Sequence, residues 1–300
     1  MLRKALLGAA AQPKLRRLAE TTAAARQVAR RFVAGETMDD GLEAARALNR
    51  RGFKVSLDHL GEHVSRPEEA ERAADLYVRL LEAIAERKLD ANVSLKLTQF
   101  GIDLNEGACE RLLTRVVERA ARLGSFVRID MESSAYTERT LALFARMHER
   151  FPGYVGPVIQ SYLYRSEADV RALIRLGARV RLCKGAYAEP PSVAYPDKAD
   201  VNRAYVQLME QLMLLGTYPG IATHDARIVD HARRFAERWE IGRERFEFQM
   251  LYGIRRDVQD ELVRDGWNVR IYVPFGGAWY PYLTRRLAER PANLRFVLES

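Results

Sequence analysis

VRLCKGAY, residues 180–187, begins as an alternation of apolar and polar residues and then breaks off at Lys184 and Gly185. Apolar residues at every second position are typical of a β-strand. In a parallel α/β barrel the carboxyl end of a strand faces the active site, where glycine lets backbone approach a ligand and lysine can meet an anion. Taken alone, the stretch fits an ordinary strand with an exposed lysine better, so the fold depends on whether the pattern recurs.

The same strand-then-helix pattern occurs eight times. Predicted strands cover 53–57, 92–97, 126–131, 155–160, 179–184, 220–223, 246–251 and 269–273. The helices that follow them cover 67–87, 107–123, 137–151, 167–176, 199–215, 226–239, 257–265 and 278–289, and another helix at 38–51 precedes the first strand. Such alternation implies parallel strands, and eight units in about 250 residues are the size of a (β/α)8 barrel. The alternative, a doubly wound open sheet, would usually carry a GxGxxG turn, which residues 57–63 lack.

Composition limits the class of protein. The 300 residues are 48% hydrophobic and 29% charged, which suits a domain with a sizeable core. No apolar run approaches the ~18–20 residues of a membrane span. The two cysteines, Cys109 and Cys183, do not make a disulfide framework. We therefore expect a cytoplasmic protein.

The positive charge is concentrated at the amino terminus. Residues 1–31 contain eight Lys and Arg residues and one acid, Glu20, which is +7 of the total +8. We expect a basic helical arm at 1–37, followed by a barrel domain at 38–300. The arm predicts either peripheral contact with an anionic membrane surface, at its inner face, or a solvated helix packed loosely on the domain. Its only aromatic residue is Phe32, which argues against nucleic acid.

Polar side chains recur where the predicted strands end. The residues are Asp58, Lys96, Asp130, Gln160, Lys184, His224, Gln249 and Tyr272. Any one of them could be a satisfied rim residue, but the set predicts an enzyme, because catalytic groups of barrel enzymes cluster at these ends.

The last predicted helix carries adjacent arginines, Arg285 and Arg286, with Glu289 one turn further on. Arginine binds carboxylates in bidentate fashion, so the pair could hold an anionic substrate, although Glu289 could instead simply pair with Arg285. We predict no metal site, because His59 and His63 have helical ligand spacing but lie in a glycine-containing loop, and no HExxH motif is present.

Several motifs together resemble the proline dehydrogenase family, from about residue 40 to 298. They are SLKLTQFG (94–101), VRIDME (127–132), VRLCKGAY (180–187), IATHD (221–225), FEFQMLYG (246–253) and YPYLTRRLAE (280–289). The chain is most similar to the short monofunctional bacterial form. The resemblance implies a distorted (β/α)8 barrel that binds FAD and oxidises L-proline to Δ1-pyrroline-5-carboxylate. It also implies that electrons pass to membrane quinone, and that the pyrroline-5-carboxylate dehydrogenase is a separate chain.

The resemblance also implies roles for individual residues. Catalysis is implied for Asp130 and Arg181. Substrate binding is implied for Lys96, Arg285, Arg286, Tyr272, Leu251 and Tyr187. Cofactor binding is implied for Met131, Gln160, Arg181, Lys184, Gly185, Ala186, Thr223, His224, Gln249 and Glu289, and Glu289 would also hold the two arginines.

Two other functions fit parts of the sequence. A Schiff-base aldolase on the same barrel would use Lys184 or Lys96 as its nucleophile. A non-enzymatic protein could bind nucleic acid or membrane through the basic arm, with salt-sensitive binding and no cofactor.

Overall fold

The computed structural model describes residues 22, 27 and 29–289, and for 285–289 it describes the backbone alone. Eight parallel strands close into a barrel in which each strand pairs with its sequence neighbours and β8 pairs with β1. The strands are β1 (Lys54–His59), β2 (Ala91–Leu95), β3 (Val127–Ile129), β4 (Val155–Gln160), β5 (Arg181–Cys183), β6 (Gly220–Ala222), β7 (Glu247–Leu251) and β8 (Val269–Phe275). The predicted (β/α)8 barrel is confirmed.

Among the helices with described bounds, one precedes β1 and one follows each strand. They are α1 (Met38–Asn49), α2 (Pro67–Glu86), α3 (Glu106–Arg122), α4 (Ser134–Arg150), α5 (Ser166–Arg175), α6 (Lys198–Leu215), α7 (Ala226–Arg238), α8 (Arg256–Arg264) and α9 (Trp279–Glu289). Single 3-10 turns cover Leu97–Phe100 and Arg243–Arg245.

The two faces of each strand have different chemistry. Residues such as Val55, Leu57 and Val93 point outward and join the helices in one apolar core. Alternate residues point into the barrel, because successive side chains of a strand lie on opposite faces. Many of these inward side chains are polar and buried, among them Ser56 and Asp58. The barrel interior can therefore hold charged groups away from water.

The first and last helices pack at different places on the barrel. Helix α1 packs on β1 and β8, where Gly41 allows close approach to the ring of Phe275. Thus α1 occupies the outer wall between these two strands. Helix α9 instead buries Trp279 in a separate cluster with Leu60, just past the carboxyl end of β1. The carboxyl end of the barrel therefore has a helix packed beside it.

Several details of the predicted elements were wrong. Helix α4 begins at 134 and not at 137, and its Ser134 backbone N–H donates to the distant Glu189 carboxylate at 2.7 Å. The prediction missed the 3-10 turn at Leu97–Phe100. Gln249 and Tyr272 lie within β7 and β8 and not at their ends. The alternation shows which face a residue occupies but not its depth in the barrel.

The described residues contain no helix that is long and apolar enough to cross a membrane. The predicted arm at 1–37 lies mostly outside the described residues, so its helical character stays a prediction. Its last residues are described, and Ala29, Phe32 and Val33 bury against the same cluster as α9.

Candidate active site

Asp130 lies at the centre of a hydrogen-bond network at the carboxyl end of the barrel. It directly follows β3, so its carboxylate reaches the barrel mouth. Oδ1 accepts from Ser94 Oγ at 2.6 Å and from Arg181 Nη1 at 2.7 Å, and Oδ2 accepts from the Tyr272 hydroxyl at 2.9 Å. Burial, followed by the charges of Asp130 and Asp58, raises the pKa of Tyr272, so its hydroxyl stays a donor.

Arg181 opens β5 and is 6% exposed. Besides Asp130, its guanidinium donates to Gln249 Oε1 and to the hydroxyls of Ser94 and Ser56. Its charged plane also lies 5.3 Å from the centre of the Tyr272 ring. The cation is thus fixed in one orientation among groups of β1, β2, β3, β7 and β8.

Lys96 follows β2 and pairs with Asp58 of β1, with Nζ 3.1 Å from Oδ1 and 3.2 Å from Oδ2. Burial works against the charge of Lys96, but Asp58 and Asp130 outweigh it and raise the pKa of the ammonium group. Lys96 therefore stays protonated. An ammonium group has three donors, so one remains for a ligand.

Lys184 and Gly185 lie where β5 ends. Lys184 Nζ is 2.8 Å from Asp225 Oδ2. Burial alone would raise the pKa of Asp225, but the hydrogen bond and charge of Lys184 lower it overall. Gly185 has φ +110°, and a Cβ there would lie 2.5 Å from the ring of Tyr162. Only glycine fits between this ring and the barrel mouth.

Gln160 ends β4, and its Nε2 donates to the carbonyls of Met131 and Glu132. Its Oε1 is buried without a hydrogen-bond partner among the described residues. Because an unpaired buried acceptor is costly, this atom indicates a donor from a bound molecule.

Thr223 and His224 follow β6. The Thr223 hydroxyl accepts from the Asp225 backbone N–H at 3.1 Å, and His224 Nε2 accepts from the Leu251 backbone N–H at 2.9 Å. The second bond fixes the imidazole against the end of β7. Leu251 itself is partly exposed, as expected of a residue at the barrel mouth.

For the remaining predicted residues, the structure gives only their exposure or their position on a helix. Tyr187 is partly exposed and Ala186 is exposed in the segment after β5. Arg285, Arg286 and Glu289 lie on helix α9, which packs at the carboxyl end, but their side chains are outside the described residues.

Gln249 differs in position from the other predicted cofactor residues. It is 4% exposed and lies within the barrel. Its Oε1 accepts from Arg181, and its Nε2 donates to Glu247 Oε1 at 2.6 Å. Gln249 therefore contacts Arg181 from the side of the network that faces the amino-terminal end of the barrel.

The sequence reasoning missed two contributors to the site, Ser94 and Asp225, and it placed Asp58 at a strand end without giving it a role. Asp58 pairs with Lys96, Ser94 donates to Asp130, and Asp225 pairs with Lys184. One signal was available for Ser94, which lies two residues before Lys96 and so on the same face of the chain. Within the described part of the chain, no group of three or more His, Cys, Asp or Glu residues could hold a metal ion.

Comparison with known proteins gives a consistent picture. The family model described as proline dehydrogenase matches residues 41–299. A proline dehydrogenase of Deinococcus radiodurans is 42% identical over 303 residues, which is 100% of this chain and 97% of the relative. Proline dehydrogenase 1 of Bacillus subtilis is 40% identical over 271 residues, which is 90% of this chain and 89% of the relative.

A solved structure extends the likeness to three dimensions. Proline utilization A (PutA) of Bdellovibrio bacteriovorus, inactivated by N-propargylglycine, superposes with a TM-score of 0.84 at 26% identity. The match covers 90% of this chain but only 33% of that protein. The barrel thus corresponds to about a third of the larger protein.

Proposed function

The chain belongs to the proline dehydrogenase family, and on that premise we propose that it oxidises L-proline to Δ1-pyrroline-5-carboxylate with FAD as its cofactor. The observation that carries the proposal is the Asp130 carboxylate, held by Arg181 and Tyr272 beside the paired cation Lys96. This arrangement offers both a charge for the substrate carboxylate and an acceptor for its amine.

FAD, when bound, supplies the acceptor for the hydride that leaves the ring carbon next to nitrogen. The residues at the barrel mouth fit such a group. Gln160 Oε1 is a buried acceptor without a partner among the described residues, and Gly185 lies at the end of β5, where a side chain would collide with the ring of Tyr162. The proposed cofactor residues are Met131, Gln160, Arg181, Lys184, Gly185, Ala186, Thr223 and His224, with Glu289 on α9. Arg181 provides a fixed positive charge, which would stabilise negative charge that develops during the reaction.

The substrate would be held at its two ends. The remaining donor of Lys96 is available for the carboxylate, and we assign Arg285 and Arg286 to the same carboxylate. Asp130 Oδ2 has capacity for a hydrogen bond from the ring nitrogen, which loses a proton when the C–N double bond forms. We assign the apolar contacts with the pyrrolidine ring to Tyr272, Leu251 and Tyr187. Such positioning makes hydride transfer geometrically feasible.

A Schiff-base aldolase is not favoured. A lysine nucleophile must be neutral, and burial without a partner is the usual way to achieve this. Lys96 is instead paired with Asp58, which raises its pKa, and Lys184 is paired with Asp225. Lys96 is therefore held as a cation, and the amine of Lys184 is occupied by its ion pair with Asp225.

We further propose that membrane quinone accepts the electrons, and that a separate dehydrogenase chain consumes the pyrroline product. A cytoplasmic protein that contacts the inner face of the membrane through residues 1–31 would meet this acceptor. The +7 charge of that segment supports the proposal, because anionic lipids attract basic segments.

An absorption spectrum tests the proposal directly. We expect the purified protein to show flavin bands that bleach on addition of L-proline without oxygen. Flavin bands that do not bleach with proline would contradict the substrate. A colourless protein that FAD cannot reconstitute would contradict the cofactor and return the lysine aldolase to consideration, which borohydride trapping of a carbonyl substrate would test.

A further inference from the structure

A second concave site lies at the opposite, amino-terminal end of the barrel. The cavity has a volume of about 370 Å³ and is lined by Lys54, Asn92, Ser125, Arg179, Tyr218 and Arg270, among others. Gly124 and Gly153 at its edge are exposed, so it opens to solvent. It shares no lining residue with the proposed proline site.

This end of the barrel holds more positive than negative charge. Lys54 pairs with Asp90 at 3.4 Å, and Arg270 pairs with Glu247 at 2.7 Å. Arg128 and Arg179 have no carboxylate within 4.0 Å among the described residues. The Nε atoms of both are buried without an acceptor in the part of the chain that the structure describes.

The two unpaired guanidinium groups are held by aromatic rings and backbone. Arg179 lies 4.5 Å from the centre of Phe126 and 4.8 Å from that of Tyr218. Arg128 lies 4.8 Å from the same Phe126 ring and donates to the Pro157 carbonyl at 2.9 Å. These contacts orient the cations, since a guanidinium group over a ring is weakly attracted to it, but they supply no negative charge.

Burial and neighbouring positive charges lower the pKa values of both arginines. Burial lowers the pKa of Arg128 well below its ordinary value, and the charges of Arg181 and Arg179 add to this. Burial also lowers the pKa of Arg179, where Glu247 opposes the effect and Arg270 adds to it. An anion bound in the cavity would relieve this repulsion. The buried Ser125 hydroxyl, which has no partner among the described residues, adds a donor to the lining.

We propose that this cavity binds a phosphate group through Arg179, with Arg270, Lys54 and Ser125 as further donors. Arginine forks match phosphate oxygens in bidentate fashion, so a phosphate would give Arg179, which lines the cavity, the anionic partner that it lacks among the described residues. The cavity is larger than inorganic phosphate alone. The group is therefore either free phosphate or the phosphate of a small monoester.

Isothermal titration calorimetry of the full chain with inorganic phosphate tests the proposal. Saturating FAD is present throughout, so that any site for the phosphates of the cofactor is already filled. Ionic strength is held constant with chloride. We expect saturable binding by the unchanged protein. We also expect equal binding by Arg234→Gln, which alters an exposed arginine of α7, and at least about tenfold weaker binding by Arg179→Gln. Ribose 5-phosphate in a parallel titration distinguishes the sources, because a monoester ligand should bind tighter than phosphate itself.

Failure to saturate with either compound in the unchanged protein would overturn the proposal, and this result does not depend on any variant folding. Equal affinity of Arg179→Gln and the unchanged protein would overturn it too. Arg179→Lys keeps the charge but loses the fork, so intermediate affinity is expected if the glutamine variant is unstable.

Discussion

Arg181 connects the proposed catalytic carboxylate to the buried interior of the barrel. Its Nη1 donates to Asp130, and its Nε donates to Gln249. Gln249 in turn donates to Glu247, which accepts from Arg270 at 2.7 Å. The orientation of Arg181 thus depends on residues that lie deeper in the barrel than any residue of the mouth.

Replacing Gln249 by leucine tests whether this residue positions Arg181 or contacts FAD. We expect the rate of flavin reduction by proline to fall about 10- to 100-fold, since a lost hydrogen bond to a charged group costs about 1.5–3 kcal/mol. The dissociation constant for FAD should stay within about twofold. Stopped-flow absorbance measures the first quantity and fluorescence titration of the apoprotein the second.

The control for Gln249→Leu is Gln211→Leu on α6, a half-buried amide outside the site, which should leave both quantities unchanged. The opposite pattern for Gln249→Leu, weak FAD binding with an unchanged reduction rate, would show that the residue contacts the cofactor, as the family resemblance implies.

At the scale of the element, β7 and β8 are joined by a buried ion pair between Glu247 and Arg270, whose side chains are 3% and 7% exposed. Burial alone would raise the pKa of Glu247. The charge and hydrogen bond of Arg270, with help from Gln249, lower it to about 2 from an ordinary 4.5. A carboxyl group with a lowered folded-state pKa contributes stability above its unfolded pKa and loses that contribution as pH falls.

The free energy of unfolding should therefore lose about 3 kcal/mol through Glu247 as pH falls from about 5 to 2. We expect Glu247→Gln to be less stable than the unchanged protein at pH 7, and the gap between them to narrow over this acidic range. Urea unfolding at several pH values measures the gap. Glu237→Gln, on the exposed part of α7, serves as the control. A gap that does not change with pH would contradict the assignment.

The strands and helices were largely predictable, because the local periodicity of apolar residues and the glycines at helix ends indicate where each element lies. The errors arose where a residue distant in sequence determines the start of an element or the partner of a side chain. Helix α4 starts early beside the carboxylate of Glu189, which lies 55 positions from Ser134. The pairing of Lys184 with Asp225 likewise spans 41 positions. Sequence patterns identify chemically suitable residues, but partners and depth depend on the closed barrel.

At the scale of the whole molecule, residues 29–36, near the end of the predicted arm, pack at the carboxyl end of the barrel. Ala29, Phe32 and Val33 are buried with α9 residues, and the Ala34 backbone N–H donates to the Pro274 carbonyl at 2.9 Å. Residues 29–36 therefore lie on the side of the barrel where the substrate would enter.

This geometry determines how the arm should be tested. A deletion of residues 1–31 would also remove Ala29 from its buried cluster, so a deletion of 1–26 is the cleaner change. We expect this shorter chain to bind anionic vesicles at least about tenfold more weakly, since each basic residue near such a surface contributes about 1 kcal/mol. Turnover with membrane quinone should fall, while turnover with a soluble dye acceptor should not.

A second variant isolates charge from length. Changing Arg3, Lys4, Lys14, Arg16 and Arg17 to glutamine keeps the segment but removes five of its charges. Loss of vesicle binding in both variants, and binding of the unchanged protein that weakens with added salt, would identify electrostatic docking as the cause. Undiminished vesicle binding and quinone turnover in both variants would instead mean that the arm is a solvated segment and that the enzyme meets its acceptor by another surface.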